Sequence, residues 1–179
     1  MTTKTDSTEW KKREYDDGRK ALLVEEWRSD QAIYHERPIL VEGKLIHENA
    51  KWPKRSRKED AGFDLYAVSN GVVKGNSQEN VNTGVILSAP QGWYFTIEGR
   101  SSLFKLGIKP LRGIIDATYC GELMVSLSNE SATDFEYDAG DRIAQLVLHK
   151  AEDFMIREVE EFSPDYNIRG TNGFGSTGK

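Results

Sequence analysis

An acid and a phenol, Asp116 and Tyr119, stand three residues apart in the stretch Gly113-Ile114-Ile115-Asp116-Ala117-Thr118-Tyr119-Cys120-Gly121-Glu122. A carboxylate at a chain reversal can take a proton from water, and an aromatic ring beside it can pack on a cyclic ligand. The ordinary alternative is that the acid bonds its own backbone and the ring packs. Four further segments combine small residues with charged, amide or hydroxyl ones. They are Ala61-Gly62-Phe63-Asp64-Leu65, Gly99-Arg100-Ser101-Ser102-Leu103, Gly140-Asp141-Arg142-Ile143-Ala144-Gln145-Leu146 and the terminal run Arg169-Gly170-Thr171-Asn172-Gly173-Phe174-Gly175-Ser176-Thr177-Gly178-Lys179. Arg offers a forked donor that suits phosphate oxygens, and Ser and backbone N–H groups add short donors. Singly, Arg100 reads as a surface ion pair and the Gly-rich run as a frayed end. Together the five segments hold what a nucleotide site needs: donors for phosphates, an aromatic for a base, and a carboxylate for water.

Elements must position these groups. Leu123, Val125 and Leu127 alternate with Met124, Ser126 and Ser128, which predicts a β-hairpin turning near Asp116. Backbone groups at such a tip are free to read a flat hydrogen-bonding ligand. From Ala61 onward, short apolar runs are separated by turn signals such as Asn70-Gly71, Gly75-Asn76 and Pro90-Gln91-Gly92. The spacing predicts an all-β barrel or jelly roll. Residues 1–37 differ. From Trp10 to Tyr34 there is no Pro and one Gly, and Leu23, Trp27 and Tyr34 fall at helical spacing. This predicts one or two amphipathic helices with a weak point at Gly18, forming a cap or a surface for a protein partner. Lys51–Lys58 reads as a solvated basic loop, with a phosphate-guiding patch as the alternative. The expected organisation is a helical extension over 1–37, a β-domain over 38–166 and a flexible Gly-rich lid over 167–179.

The chain of 179 residues is long enough for one real core, with 37% apolar and 30% charged residues. No apolar run approaches the roughly 18 residues of a membrane helix, and no leader pattern is expected at the start. The net charge of −5 opposes non-specific nucleic-acid binding, which needs an excess of cations. A phosphorylated small molecule needs only local positive charge. The single cysteine, Cys120, rules out an intrachain disulfide and fits a reducing compartment. The expected location is intracellular, cytoplasmic or, in a eukaryote, nuclear.

The five segments, in this order, closely resemble the five motifs of the homotrimeric deoxyuridine triphosphate nucleotidohydrolases, the dUTPases. The resemblance covers about Ile39 to Lys179. It implies a jelly-roll-like β-barrel trimer with three sites, each assembled from three subunits, and the conversion of dUTP and water to dUMP and pyrophosphate. That reaction keeps uracil out of DNA and supplies dUMP for thymidylate. By the same resemblance Asp116 is the general base and Tyr119 packs on deoxyribose, leaving no room for a 2′-hydroxyl. Gly113 and Ile115 belong to the nucleoside-reading stretch. Arg100, Ser101, Ser102 and Gln145 face the phosphates. In the tail, Arg169, Gly175, Ser176 and Thr177 contact phosphates, and Phe174 stacks on uracil. Mg²⁺ is implied as cofactor, held by the triphosphate and water, with Asp64 touching its shell only through water. Asp141 organises structure.

Gly99 stands where the family often has Pro, Ser102 where Gly is common, and Cys120 where a polar or basic residue is common. Arg100-Ser101-Ser102-Leu103 with Leu106-Gly107 is also similar to the dCTP deaminases of the same fold. Those enzymes use a glutamate where this chain has Ser126, which opposes that alternative. A dUTP-responsive binding protein using the N-terminal region is the alternative from another class.

Overall fold

The structure, a computed structural model, describes residues 39–163 and the backbone of two further strands, 10–14 and 20–24. The strands are β1 (Trp10–Glu14), β2 (Lys20–Val24), β3 (Glu42–Leu45), β4 (Phe63–Tyr66), β5 (Gly71–Val73), β6 (Ser77–Val81) and β7 (Val85–Ser88). They continue as β8 (Trp93–Glu98), β9 (Ile108–Pro110), β10 (Gly113–Ile115), β11 (Val125–Asn129), β12 (Phe135–Tyr137) and β13 (Arg142–Lys150). One turn of helix, α1 (Ser101–Phe104), interrupts them. The protein is therefore all-β as far as it is described, and every ladder is antiparallel.

One sheet runs β10-β8-β13-β4 and a second β6-β11-β9, with the pairs β12-β5 and β3-β7 beside them. Their inner faces share one core. β11 shows why: Val125, Leu127 and Asn129 are buried while Ser126 and Ser128 are only partly so, the period of a strand wet on one side. Leu65, Val73, Val81, Val85, Ile97, Ile108 and Leu146 meet these residues from the other strands. The polar Asn129 is tolerated there because its amide donates to the Val73 and Thr133 carbonyls at 2.9 and 2.8 Å.

Three expectations change. The helix predicted from Trp10 to Tyr34 is not found at the residues described there: β1 and β2 pair from Trp10↔Val24 to Glu14↔Lys20. Gly18, read as a weak point in a helix, falls between the two paired runs. The rest of 1–38 lies outside the described residues. Second, the stretch around Asp116 is not a laddered hairpin. Its first arm, β10, pairs with β8, and its second, β11, pairs with β6 and β9. Alternation identifies a strand but not its partner. Third, the basic run 51–58 is solvent-exposed at Lys51 and over residues 56–58 but docked between them. Pro53 is buried, Lys54 bridges to Asp64, and the Lys51 and Arg55 cations lie over the Tyr66 and Phe63 rings.

Candidate active site

Asp64 sits in β4 with only 2% of its surface exposed. Its Oδ1 meets Arg100 Nε at 3.2 Å and Gln145 Nε2 at 3.4 Å. Its Oδ2 takes Ser56 Oγ at 3.2 Å and Arg142 Nη1 at 3.3 Å. A buried carboxylate is tolerated when its lone pairs are met by charge-assisted donors. Arg142 Nη1 also donates to Ser56 Oγ, and Arg100 Nη1 to the Arg142 carbonyl at 3.0 Å. One carboxylate thus fixes two guanidinium groups and leaves a local excess of positive charge, which is the electrostatics of a phosphate cradle.

The sheet explains the convergence. Asp64 and Glu98 lie on either side of Gln145 in register, since β13 is flanked by β4 and β8. In a regular strand Arg142 and Gln145, three apart, face opposite ways. A register shift between Arg142 and Ala144 sets two residues of β13 against one step of β4. A bulge of this kind re-aims a side chain, and here it turns Arg142 to the face of Gln145. Gly62 lets Gln145 lie against backbone, because a Cβ there would sit 3.0–3.2 Å from the Gln145 side chain. Arg100 follows β8 with an extended backbone (φ −100, ψ 132), and α1 then carries the exposed Ser101 and Ser102, anchored by the buried Leu103. Burial, and then the nearby Asp64 charge, raise the Tyr66 phenol above its ordinary value, so it stays neutral beside the cradle.

The second cluster is the corner between β10 and β11. Gly113, Ile114, Ile115 and Asp116 on one arm face Tyr119, Glu122, Leu123 and Met124 on the other across a cleft of about 230 Å³, with Ile97 at its base. The Tyr119 N–H donates to the Asp116 carbonyl at 3.0 Å and closes the turn. The Asp116 carboxylate is exposed, with no side-chain partner among the described residues. Among the described residues β10 is an edge strand, bonded to β8 alone. Had the two arms zipped into a ladder, their facing N–H and C=O groups would be consumed. Standing apart, they leave the outer edge of β10 without a strand partner among the described residues, while the second arm bonds elsewhere, the Leu123 N–H donating to the Val85 carbonyl and the Glu122 carbonyl accepting from the Tyr119 hydroxyl.

The two clusters are distant within one chain. Ile115 pairs with Phe95, so Asp116 is level with Tyr94, six residues before Arg100. At about 3.3 Å per residue that is about 20 Å along the sheet.

A family model described as dUTPase matches residues 48–178. The chain belongs to the dUTPase family. Curated relatives carry the name deoxyuridine 5′-triphosphate nucleotidohydrolase. One from Debaryomyces hansenii is 42% identical over 136 residues, 75% of this chain and 85% of that one. One from Solanum lycopersicum is 40% identical over 136 residues, 75% of this chain and 79% of that one. Among solved structures, a dUTPase of Staphylococcus bacteriophage 80alpha with dUpNHpp superposes with a TM-score of 0.71 at 26% identity, covering 78% of this chain and 99% of that one. A phage phi11 dUTPase of S. aureus, described with a structural Mg(II) ion, gives 0.63 at 25% identity over 69% and 98%.

Against the dUTPase motifs, the structure brings Asp64, Arg100 and Gln145 together, with Ser101 and Ser102 on the turn that follows Arg100. It gathers Gly113, Ile115, Asp116 and Tyr119 at the separate cleft. Arg169, Phe174, Gly175, Ser176 and Thr177 lie outside the described residues. Asp141 is tied into its own turn, its Oδ2 accepting the Asp138 N–H at 2.9 Å. Ser56 and Arg142 were not singled out as site residues from sequence. Ser56 was hidden in a basic run, and plain alternation puts Arg142 on the face opposite Gln145.

Proposed function

We propose that this protein hydrolyses dUTP to dUMP and pyrophosphate, as a homotrimer whose sites combine the cleft of one subunit with the cradle of another and the tail of a third. The observation that carries the reading is a carboxylate, Asp116, with no side-chain partner among the described residues, at a cleft bordered by the edge strand β10, about 20 Å along one sheet from a preformed cation cradle, in a chain of this family. A base must lie within about 3 Å of the proton it takes, or one water away. Asp116 and Arg100 of one chain therefore cannot serve the same phosphate, and two copies can. Apolar exposure supports a covering neighbour: Met155 is 98% exposed, Ile156 87%, Phe154 82% and Ile114 70%.

The residues then divide the work. Arg100, Gln145 and Ser101 hold the triphosphate, and Arg142 holds the cradle in shape. Asp116 accepts a proton from a water that attacks the α-phosphorus in line, and pyrophosphate leaves with the electrons of the broken P–O bond. The tail closes over the substrate, with Phe174 on uracil. Tyr119 lies on the sugar. The free edge of β10 and the facing arm read the base. Cytosine leaves two groups unpaired where uracil satisfies them. At about 1–3 kcal/mol each, this gives roughly 30-fold to 10⁴-fold discrimination. Thymine is rejected by its methyl group.

Magnesium prefers oxygen ligands and keeps several waters. Among the described residues no group of three or more His, Cys, Asp or Glu converges on one point. Asp64 is better suited to holding the arginines than to a metal's water shell, because four donors already occupy its oxygens. A bound Mg²⁺ would sit on the triphosphate and supply charge neutralisation there.

The test is pyrophosphate release from dUTP, dCTP, dTTP and UTP in parallel with Mg²⁺. Release from dUTP alone is expected. Ammonia from dCTP without pyrophosphate would move the chain to the deaminases, and silence on all four with dUTP still bound would leave a binding protein.

A further inference from the structure

Glu122 lines the cleft beside Tyr119, and the reading above gives it no task. Its carboxylate is gripped from both sides. Oε1 accepts the Gly84 N–H at 2.7 Å and Oε2 accepts from Asn82 Nδ2 at 2.9 Å. The grip is rigid at its far end. Gly84 is buried with φ +65, and a Cβ there would press on Ala50, His47 and Val68 at 2.7–3.0 Å. That N–H therefore points where the packed backbone puts it. The next residue is sewn to the same strand: Leu123 N–H donates to the Val85 carbonyl at 2.8 Å, and Thr83 Oγ1 to the Leu123 carbonyl at 2.6 Å. On the other side, the Tyr119 hydroxyl donates to the Glu122 carbonyl at 3.0 Å. The Tyr119 ring lies over Gly121, where any Cβ would collide with the phenol oxygen. The chain of contacts runs from the barrel through a carboxylate to the carbonyl that holds the ring.

We propose that Glu122 is a positioning residue that sets the choice between deoxyribose and ribose. It clamps Tyr119 at the distance that excludes a 2′-hydroxyl. This rests on the reading of Tyr119 as the ring against the sugar. A ring held only by its backbone could retreat by the width of a hydroxyl, and a Tyr119 fastened through Glu122 cannot.

The experiment measures kcat and KM for dUTP and UTP, and the melting temperature, in the full-length protein and in Glu122→Ala, Glu122→Gln, Asn82→Asp and the double variant Asn82→Asp/Glu122→Gln. In Glu122→Ala the dUTP-to-UTP ratio of kcat/KM is expected to fall about tenfold, carried by a gain in kcat/KM for UTP, mainly through its KM, with the values for dUTP nearly unchanged. Glu122→Gln is expected to keep most of the ratio, since its amide oxygen still accepts from Gly84 and the Asn82 amide can turn to accept from it. Asn82→Asp alone faces two carboxylates across the contact and relaxes the ratio. The double variant exchanges donor and acceptor and restores it. A loss of melting temperature and of turnover on both nucleotides, with the ratio unchanged, overturns the proposal. Should Glu122→Ala fail to fold, equal ratios in Asn82→Asp and the double variant overturn it as well. Absence of dUTP turnover in the unaltered protein overturns the functional reading itself, which separates the two failures.

Discussion

Asp64 gives its two oxygens to Arg100, Gln145, Ser56 and Arg142 within one chain, whereas the Asp116 carboxylate stands exposed with no side-chain partner among the described residues. The cradle is finished before any ligand arrives, and the cleft is finished only on its protein side. On the proposed function, the difference follows from the work. Guanidinium groups that must meet phosphates gain from being held in place beforehand, because their ordering then costs nothing at binding. A carboxylate that must take a proton has to keep a lone pair uncommitted. The same residue type is thus saturated in one place and left open in the other.

The sharpest way to break this contrast is Asp116→Asn. Turnover of dUTP should fall about 10²- to 10⁴-fold, with nucleotide affinity by calorimetry little changed. Unchanged turnover would remove Asp116 from the mechanism. Ending the chain after Tyr166 should come next, with a loss on the order of 10²-fold in kcat/KM and an unchanged oligomeric state by light scattering. Full activity there would mean that the tail is not the lid.

Asp64→Ala should act through the fold as much as through the site. It strands Arg100 and Arg142, whose side chains are 17% and 47% exposed. Removing the carboxylate of a buried pair costs about 3 kcal/mol, readable by urea denaturation, and the affinity for pyrophosphate should drop with it. A stability close to that of the unaltered protein would show the cradle to be looser than its distances. Gly62→Ala is a gentler probe. The new methyl would push the Gln145 side chain from 3.0–3.2 Å contact and should raise KM a few-fold at nearly constant kcat. Deleting residues 1–37 should change catalysis least, and a monomeric product would instead assign that region to assembly.

Much of this was legible in the sequence, and the misreadings share a cause. The all-β character showed because short alternating runs between turn signals report the local period of the chain. Asp64, Arg100, Gln145, Asp116 and Tyr119 could be singled out because residue types in order are themselves a signal, but that Asp64 binds Arg100, Arg142 and Gln145 was not legible there. Residues 113–122 were misread as a laddered hairpin because alternation carries no label for the partner strand. Lys20–Val24 was misread as helix because the same apolar residues fit either period over a short span.

By itself, then, the amino-acid order determined which chemical groups are present, that they come on strands and turns, and which family the chain resembles. Tertiary structure alone decided where those groups meet. A bulge in β13 turned Arg142 toward Asp64, and β8 carried Arg100 away from Asp116. The two arms of residues 113–124 were sent to different sheets, leaving a cleft between them. The reason is physical. Composition and period are properties of neighbours along the chain. A hydrogen-bond partner across a sheet is chosen by the packing of the whole core, and one residue of register reverses every side chain it carries.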